Sequence, residues 1–149
     1  MDFIKVDKSN IDILYNLNRE LAFNEGQSSL FSADKREYID AFCGKNPMVY
    51  AFLVYNSHKL VGFCIYFEKF ATYLASKVLF IEDLYLRKSN YLSKDDILDV
   101  LSYIQTISKS RNCKRVEMRV LKRYSIDTKL LEKSGFKKID KWDVYRYEN

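Results

Sequence analysis

Residues that break regular structure are scarce in this sequence, with four glycines and one proline among 149 residues. That scarcity excludes a collagen-like, linker-like or loop-dominated chain and makes a well-ordered domain the expectation. Histidine occurs once, as His58, and cysteine three times, as the widely separated Cys43, Cys64 and Cys113. An odd, scattered set of thiols suits neither a disulfide framework nor a metal cluster, so no metal is expected and reduced thiols point to a cytoplasmic protein. No apolar run approaches the ~18–20 residues that cross a bilayer, and no signal-type apolar segment follows Met1. No membrane partner is therefore expected. His58 stands in the turn Asn56-Ser57-His58-Lys59, where a polar turn residue is its role and no catalytic one is assigned.

What the chain does have is apolar mass, 48% of its residues, enough for one domain over residues 1–149 to bury a proper core. Net charge is +5 and the pI about 9.0. The lysines are scattered, and the densest cluster, Lys109 to Arg115, falls where one element ends, as a helix dipole favours. Without a nucleic-acid motif beside it, that charge reads as a solvated face, and nucleic acid is not an expected partner.

Along the chain, Asp2–Val6 is a short strand candidate. Ser9 is expected to cap a helix with Ile13, Leu14, Leu17 and Leu21 as its apolar stripe, ended by Asn24-Glu25-Gly26. Ser32 is expected to cap a second helix that turns Ile39 and Phe42 inward and stops at Gly44 and Pro47. Met48–Tyr55 and Leu60–Phe67 read as a hairpin. Lys77–Leu86 is a nearly continuous apolar run interrupted by Glu82 and Asp83, the pattern of a buried strand carrying two charges it must use. After the linker Lys88–Leu92, Ser93 and Asp96 spell a capping box for a helix whose Ile97, Val100, Leu101, Ile104, Ile107 and Ser108 form one side. Lys114–Leu121 alternates as a strand, Ser125 can start a short helix through Leu130 and Leu131 to Gly135, and Lys141–Tyr147 reads as a last strand. The order is β-α-α-β-β-β-α-β-α-β, a single mixed-sheet α/β domain, with a core strand feeding an amphipathic helix where α/β proteins keep ligand sites.

Particular residues then carry a resemblance. Glu20-Leu21-Ala22 with Glu25-Gly26, Phe42-Cys43-Gly44 with Pro47, Leu60-Val61-Gly62-Phe63 with Ile65-Tyr66-Phe67 and Ala71-Thr72-Tyr73, and Phe80-Ile81-Glu82-Asp83-Leu84-Tyr85-Leu86 follow in order. Cys113-Lys114-Arg115-Val116-Glu117, Val120-Leu121, Gly135-Phe136 and Trp142 with Tyr145-Arg146 continue to the end. The ordered set resembles the Gcn5-related N-acetyltransferase (GNAT) superfamily, in particular its diamine (spermidine/spermine-type) group. The resemblance implies acetyl transfer from acetyl-CoA to a small, polyamine-like amine, and a homodimer. It implies that Leu84, Tyr85 and Leu86 lend groups to the coenzyme and that Glu82, Asp83 and Tyr85 meet the amine. Glu82 is then the candidate base, because an ammonium must lose a proton before it attacks a thioester. Adjacent strand residues point to opposite faces, so both acids serve one substrate only across a bulge.

The resemblance fails at the coenzyme loop. The family places a glycine-rich turn at the start of the long helix, so that a diphosphate rests on bare backbone N–H groups. Here the segment is Tyr91-Leu92-Ser93-Lys94-Asp95-Asp96, without a glycine, and only Lys94 favours a phosphate. The family's tyrosine acid four residues before Gly135 is Leu131, the asparagine ahead of that helix is Tyr124, and its sheet tryptophan is Met118. The expectation is therefore an N-acetyltransferase whose activity is weak or lost, the alternative being an inactive homologue that works as a small-ligand sensor or dimeric interaction module.

Overall fold

A computed structural model describes residues 1–87, 92–120, 128–141 and 143–149 of the chain. Its elements are β1 (Asp2–Lys5), α1 (Ile11–Asn24), α2 (Lys35–Cys43), β2 (Tyr50–Asn56), β3 (Lys59–Ala71), β4 (Ser76–Leu86), α3 (Lys94–Ser110), β5 (Val116–Met118) and α4 (Thr128–Lys133). The five strands form one sheet in the order β1-β2-β3-β4-β5, antiparallel except for the parallel pair β4 and β5. The mixed α/β fold class is as expected.

Helices cover both faces of the sheet. On one, Ile11, Leu14, Leu17 and Leu21 of α1 and Ile39 and Phe42 of α2 pack on Ala51, Leu53, Phe63 and Ile65. On the other, Val100, Leu101 and Ile104 of α3 and Leu131 of α4 pack on Phe52, Val54, Cys64, Tyr66, Leu79 and Ile81. The β2–β3 hairpin turns through Ser57 (φ 48°) and His58 (φ 64°), the paired left-handed residues of a tight hairpin. Gly62 is required by close approach: a Cβ there would lie 2.1 Å from the Tyr85 carbonyl oxygen of β4.

Four local expectations are corrected. Asn10, not Ser9, precedes α1, because the Asp7 carboxylate already accepts from the Ser9 amide and hydroxyl at 2.8 and 2.5 Å. The buried stripe starts at Ile11, and Ile13 is exposed. Asp34, not Ser32, caps α2, accepting from the Arg36 and Glu37 amides at 2.8 and 3.1 Å; a 3-10 turn at Ser28–Leu30 holds the Ser32 amide on the Leu30 carbonyl. The last strand is absent among the described residues of the tail, where Val144, Tyr145 and Tyr147 lie exposed. Alternation without a neighbouring edge does not make a strand. The linker residues Lys88–Tyr91, and Tyr124, Ser125 and Trp142, lie outside the described residues.

Candidate functional site at the parting of two strands

β4 and β5 pair through Leu79↔Val116, Phe80↔Glu117 and Ile81↔Met118, and there the pairing ends. β4 continues to Leu86 with its β3 edge hydrogen-bonded and, among the described residues, no strand on its other edge. At this point β4 also bulges. Ile65 is opposite Asp83 and Tyr66 opposite Ile81, so Glu82 is the extra residue. Leu79 and Ile81 belong to the α3 face, as do Leu84 and Leu86, whereas Tyr85 belongs to the α1 face. The side-chain phase therefore slips by one residue across Glu82, and the slip brings both Glu82 and Asp83 to the α1/α2 face. The condition that the sequence set for two acids on one side is met.

The two carboxylates differ in surroundings. Glu82 is 39% exposed and ion-paired with Arg119, whose guanidinium also lies 5.7 Å from the Phe80 ring centroid. Asp83 is turned inward. Burial pushes its carboxyl up to about 6, with the Glu82 and Glu25 carboxylates adding to the rise and Arg119 and Asn18 opposing it. Glu25, at the end of α1, is itself raised by burial, and among the described residues it has no ion-pair partner. Tyr38 closes the inner side: burial raises its phenol, and the Asn18 amide donates to its hydroxyl at 3.3 Å.

Tyr85, expected to touch substrate or coenzyme, turns its side chain to α1 and leaves its backbone on the open β4 edge. Its hydroxyl donates to Glu20 at 2.8 Å and accepts from Asn24 at 2.6 Å, both on α1. Arg87 grips the same Glu20 with Nε at 2.8 Å and Nη2 at 2.5 Å, and donates to the Leu60 carbonyl at 3.1 Å. This network, unseen in the sequence, ties α1 to the free end of β4. A groove of about 370 Å³ on the outer side of α1 shares Glu20 with it and is lined also by Arg19, Phe23 and Phe31; Glu82 and Asp83 are not part of it.

Leu84 and Leu86 direct their side chains into the α3 core, so only their backbone edge is available to a ligand. Lys94 is exposed on the first turn of α3. Ser93 caps that helix as expected: Asp96 N donates to Ser93 Oγ at 3.1 Å, and Ser93 N donates to Asp96 Oδ2 at 2.7 Å. Both Ser93 contacts, backbone first, hold the Asp96 carboxyl below its usual range. The chain's own carboxylate thus fills the position an anion would take, and this helix start does not fit a diphosphate. The open β4 edge does fit an extended amide arm. Leu131 is buried in the α3-side core and Met118 packs at its margin, so both are packing residues. Among the described residues no group of three or more His, Cys, Asp or Glu is placed to hold a metal, and no helix is long and apolar enough to cross a membrane.

Solved structures similar to this chain include acetyltransferases. It matches the integron cassette protein VCH_CASS6 from the mobile metagenome of V. cholerae with a TM-score of 0.75 and 20% identity, covering 99% of this chain and 92% of that one. It matches AAC(6')-Iy, solved with the bisubstrate analogue CoA-S-monomethyl-acetylneamine, with a TM-score of 0.72 and 12% identity over 99% and 98% of the two chains. The ribosomal-protein-alanine N-acetyltransferase of Brucella melitensis biovar Abortus 2308 gives 0.72 at 11% identity, over 99% and 98%. No family model matches the chain, and no curated protein sequence does. At these identities the likeness is one of fold, and the fold is that of the GNAT acetyltransferases.

Proposed function

We propose that this chain is a small-amine N-acetyltransferase of the GNAT fold with a weakened coenzyme site. The observation that carries the reading is the coincidence of an open β4 edge, a bulge and two carboxylates on one face. Acetyl-CoA would supply the acetyl thioester electrophile, with its pantetheine arm along the backbone of Leu84–Leu86. Asp83 takes the proton of the attacking ammonium, because a carboxyl poised near 6 accepts protons better at neutral pH than one free in water. Glu82, the sequence's candidate base, instead exchanges Arg119 for an ammonium and holds the amine, a polyamine-like chain being the acceptor that uses both acids. Leu131 has no proton to give a departing thiolate, so water must supply it.

The test combines an acetyl-CoA titration with a free-thiol assay on spermidine and short diamines. Turnover that rises with pH through about 6 and is lost in Asp83→Asn supports the reading. Binding without thiol release would sink it.

A second reading is favoured by the Ser93–Asp96 box, which fills the anion position at α3. In it the chain is an inactive homologue that senses a small amine, or a dimeric interaction module. Both readings include a homodimer, because the exposed Val144, Tyr145 and Tyr147 offer apolar surface a monomer leaves uncovered. Light scattering at micromolar concentration returning 17.7 kDa removes the dimer from either.

A further inference from the structure

The far end of the β3–β4 hairpin stands clear of the sheet. β3 loses β2 beyond Tyr66, and the chain entering β5 follows β4 back only to Lys77, so the hairpin end beyond Phe70↔Lys77, with the pair Ala71↔Ser76, extends as a two-stranded tip. Three large apolar side chains cap it in the open: Phe70 is 66% exposed, Tyr73 98% and Leu74 43%. Cations ring the stem directly behind. Lys77 and Arg111 share Glu68 at 2.9 and 2.7 Å, while Lys69 and Arg115 share Glu117 at 2.5 and 2.6 Å. Lys114 is joined to the stem through its amide on the Lys77 carbonyl at 2.9 Å, and Lys109 lies in the last turn of α3 just before it. Six cations against two carboxylates concentrate at this end most of the chain's net charge of +5.

We infer that the tip docks on an anionic phospholipid surface, with Phe70, Tyr73 and Leu74 entering the headgroup region and the stem cations lying at phosphate level. Charge complementarity selects an acidic partner and disfavours a second copy, whose equally basic end would be repelled. Shape selects a bilayer over a nucleic acid. Single-stranded nucleic acid lies in a basic groove with rings exposed for stacking, whereas these side chains crown a convex turn, and Leu74 has no ring. The expectation of no membrane partner rests on the lack of a spanning helix, and a hairpin lying on a bilayer surface needs none. This contact is independent of the amine site on the α1/α2 face.

The test is co-sedimentation of the purified full chain with vesicles of phosphatidylcholine alone and with about 30% phosphatidylglycerol, at low and high salt. The expected result is at least about tenfold more binding to the anionic vesicles, weakened by salt and lost in the Phe70→Ser, Tyr73→Ser variant. Those positions are exposed, so the variant keeps its fold, checked by far-UV circular dichroism. Tyr73→Trp, in a Trp142→Phe background, should shift its emission to the blue on anionic vesicles only. Equal binding to both vesicle types, binding unchanged in the double variant, no blue shift, or tighter tip-dependent binding to single-stranded RNA would each overturn the inference.

Discussion

Arg119 is ion-paired with Glu82 across the first step beyond the last β4–β5 ladder pair, Ile81↔Met118. The pair bridges two strands at the level where their backbones have stopped doing so. Both side chains are part-exposed, so water screens the pair and its net worth to folding is below about 1 kcal/mol. Its consequence is for binding, since an ammonium reaching Glu82 must displace a guanidinium already there. Arg119→Ala should therefore leave the melting temperature nearly unchanged and tighten spermidine binding several-fold in calorimetry. Glu82→Gln should weaken it. Equal affinities in all three proteins would make Glu82 a surface residue without a ligand.

Asp83 sets a pH dependence of a definite sign. Its folded carboxyl is raised from 3.8 to about 6, so the folded protein binds the proton more tightly than the unfolded chain does. The favourable contribution is fully present below about 4 and is lost as pH rises through about 6. The cost above that range is about 2–3 kcal/mol at most. Asp83→Asn should then melt several degrees higher than the parent at pH 7.5, with the difference vanishing near pH 4. A variant that is less stable than the parent at pH 7.5 would show the carboxylate to be satisfied as a charge.

The opposite sign belongs to Glu20. Arg87 in first place, and Tyr85 beside it, hold its carboxyl below the usual range, while burial opposes them. Its contribution is present above the ordinary carboxyl range and disappears as pH falls through the lowered value. The same network pushes the Tyr85 phenol up to about 12, burial first and the Glu20 carboxylate next. Arg87→Ala should cost about 1 kcal/mol at pH 7, since the fork on Glu20 is two-pronged but part-exposed. The loss should fade as pH falls through the lowered Glu20 value, and hydrogen exchange at the C-terminal turn of α1 should quicken. Unchanged exchange there would mean that α1 is held by its apolar stripe alone.

How far these features could be read from the sequence depends on their range. The Ser93–Asp96 box joins residues three positions apart and was legible, because both partners and their spacing are local. Ser9 and Ser32 were equally good local caps, and they lost to neighbours, Asp7 taking one and a 3-10 turn the other. The bulge at Glu82 belongs to the pairing of β4 with β3 and has no spelling on β4 itself. Arg119 was visible as a polar position of an alternating strand, but the parallel register that sets it beside Glu82 is a tertiary fact. Glu20 and Arg87 lie 67 residues apart, and only the packed α1 brings them together. The tail shows the converse, a strand pattern that finds no edge among the described residues.

The coenzyme prediction rests on the start of α3. A glycine-rich turn leaves several amides free for a diphosphate, and here the Ser93 amide is given to Asp96 and the Asp96 amide to Ser93. Losing two such charge-assisted contacts, at roughly 1.5–3 kcal/mol each and partly offset by Lys94, should weaken acetyl-CoA by at least ~100-fold relative to a glycine loop. Asp95 and Asp96 add repulsion where the helix dipole would otherwise attract phosphate. Protonating Asp96 does not relieve this readily, since its carboxyl is held below the usual range by the Ser93 contacts. Titration at low salt should thus give an affinity far weaker than micromolar, and replacing Leu92, Lys94 and Asp96 together by glycine should strengthen it. The triple variant keeps the Ser93 hydroxyl as cap but loses the Asp96 half of the box and places glycine at two positions of the first turn, at a cost of about 2–3 kcal/mol, so its fold must be checked by melting first. A folded triple variant that binds acetyl-CoA no better than the parent would place the obstacle elsewhere, on the β4 edge itself. Micromolar affinity in the parent would show that the amide arm alone suffices and that the capping box is no obstacle.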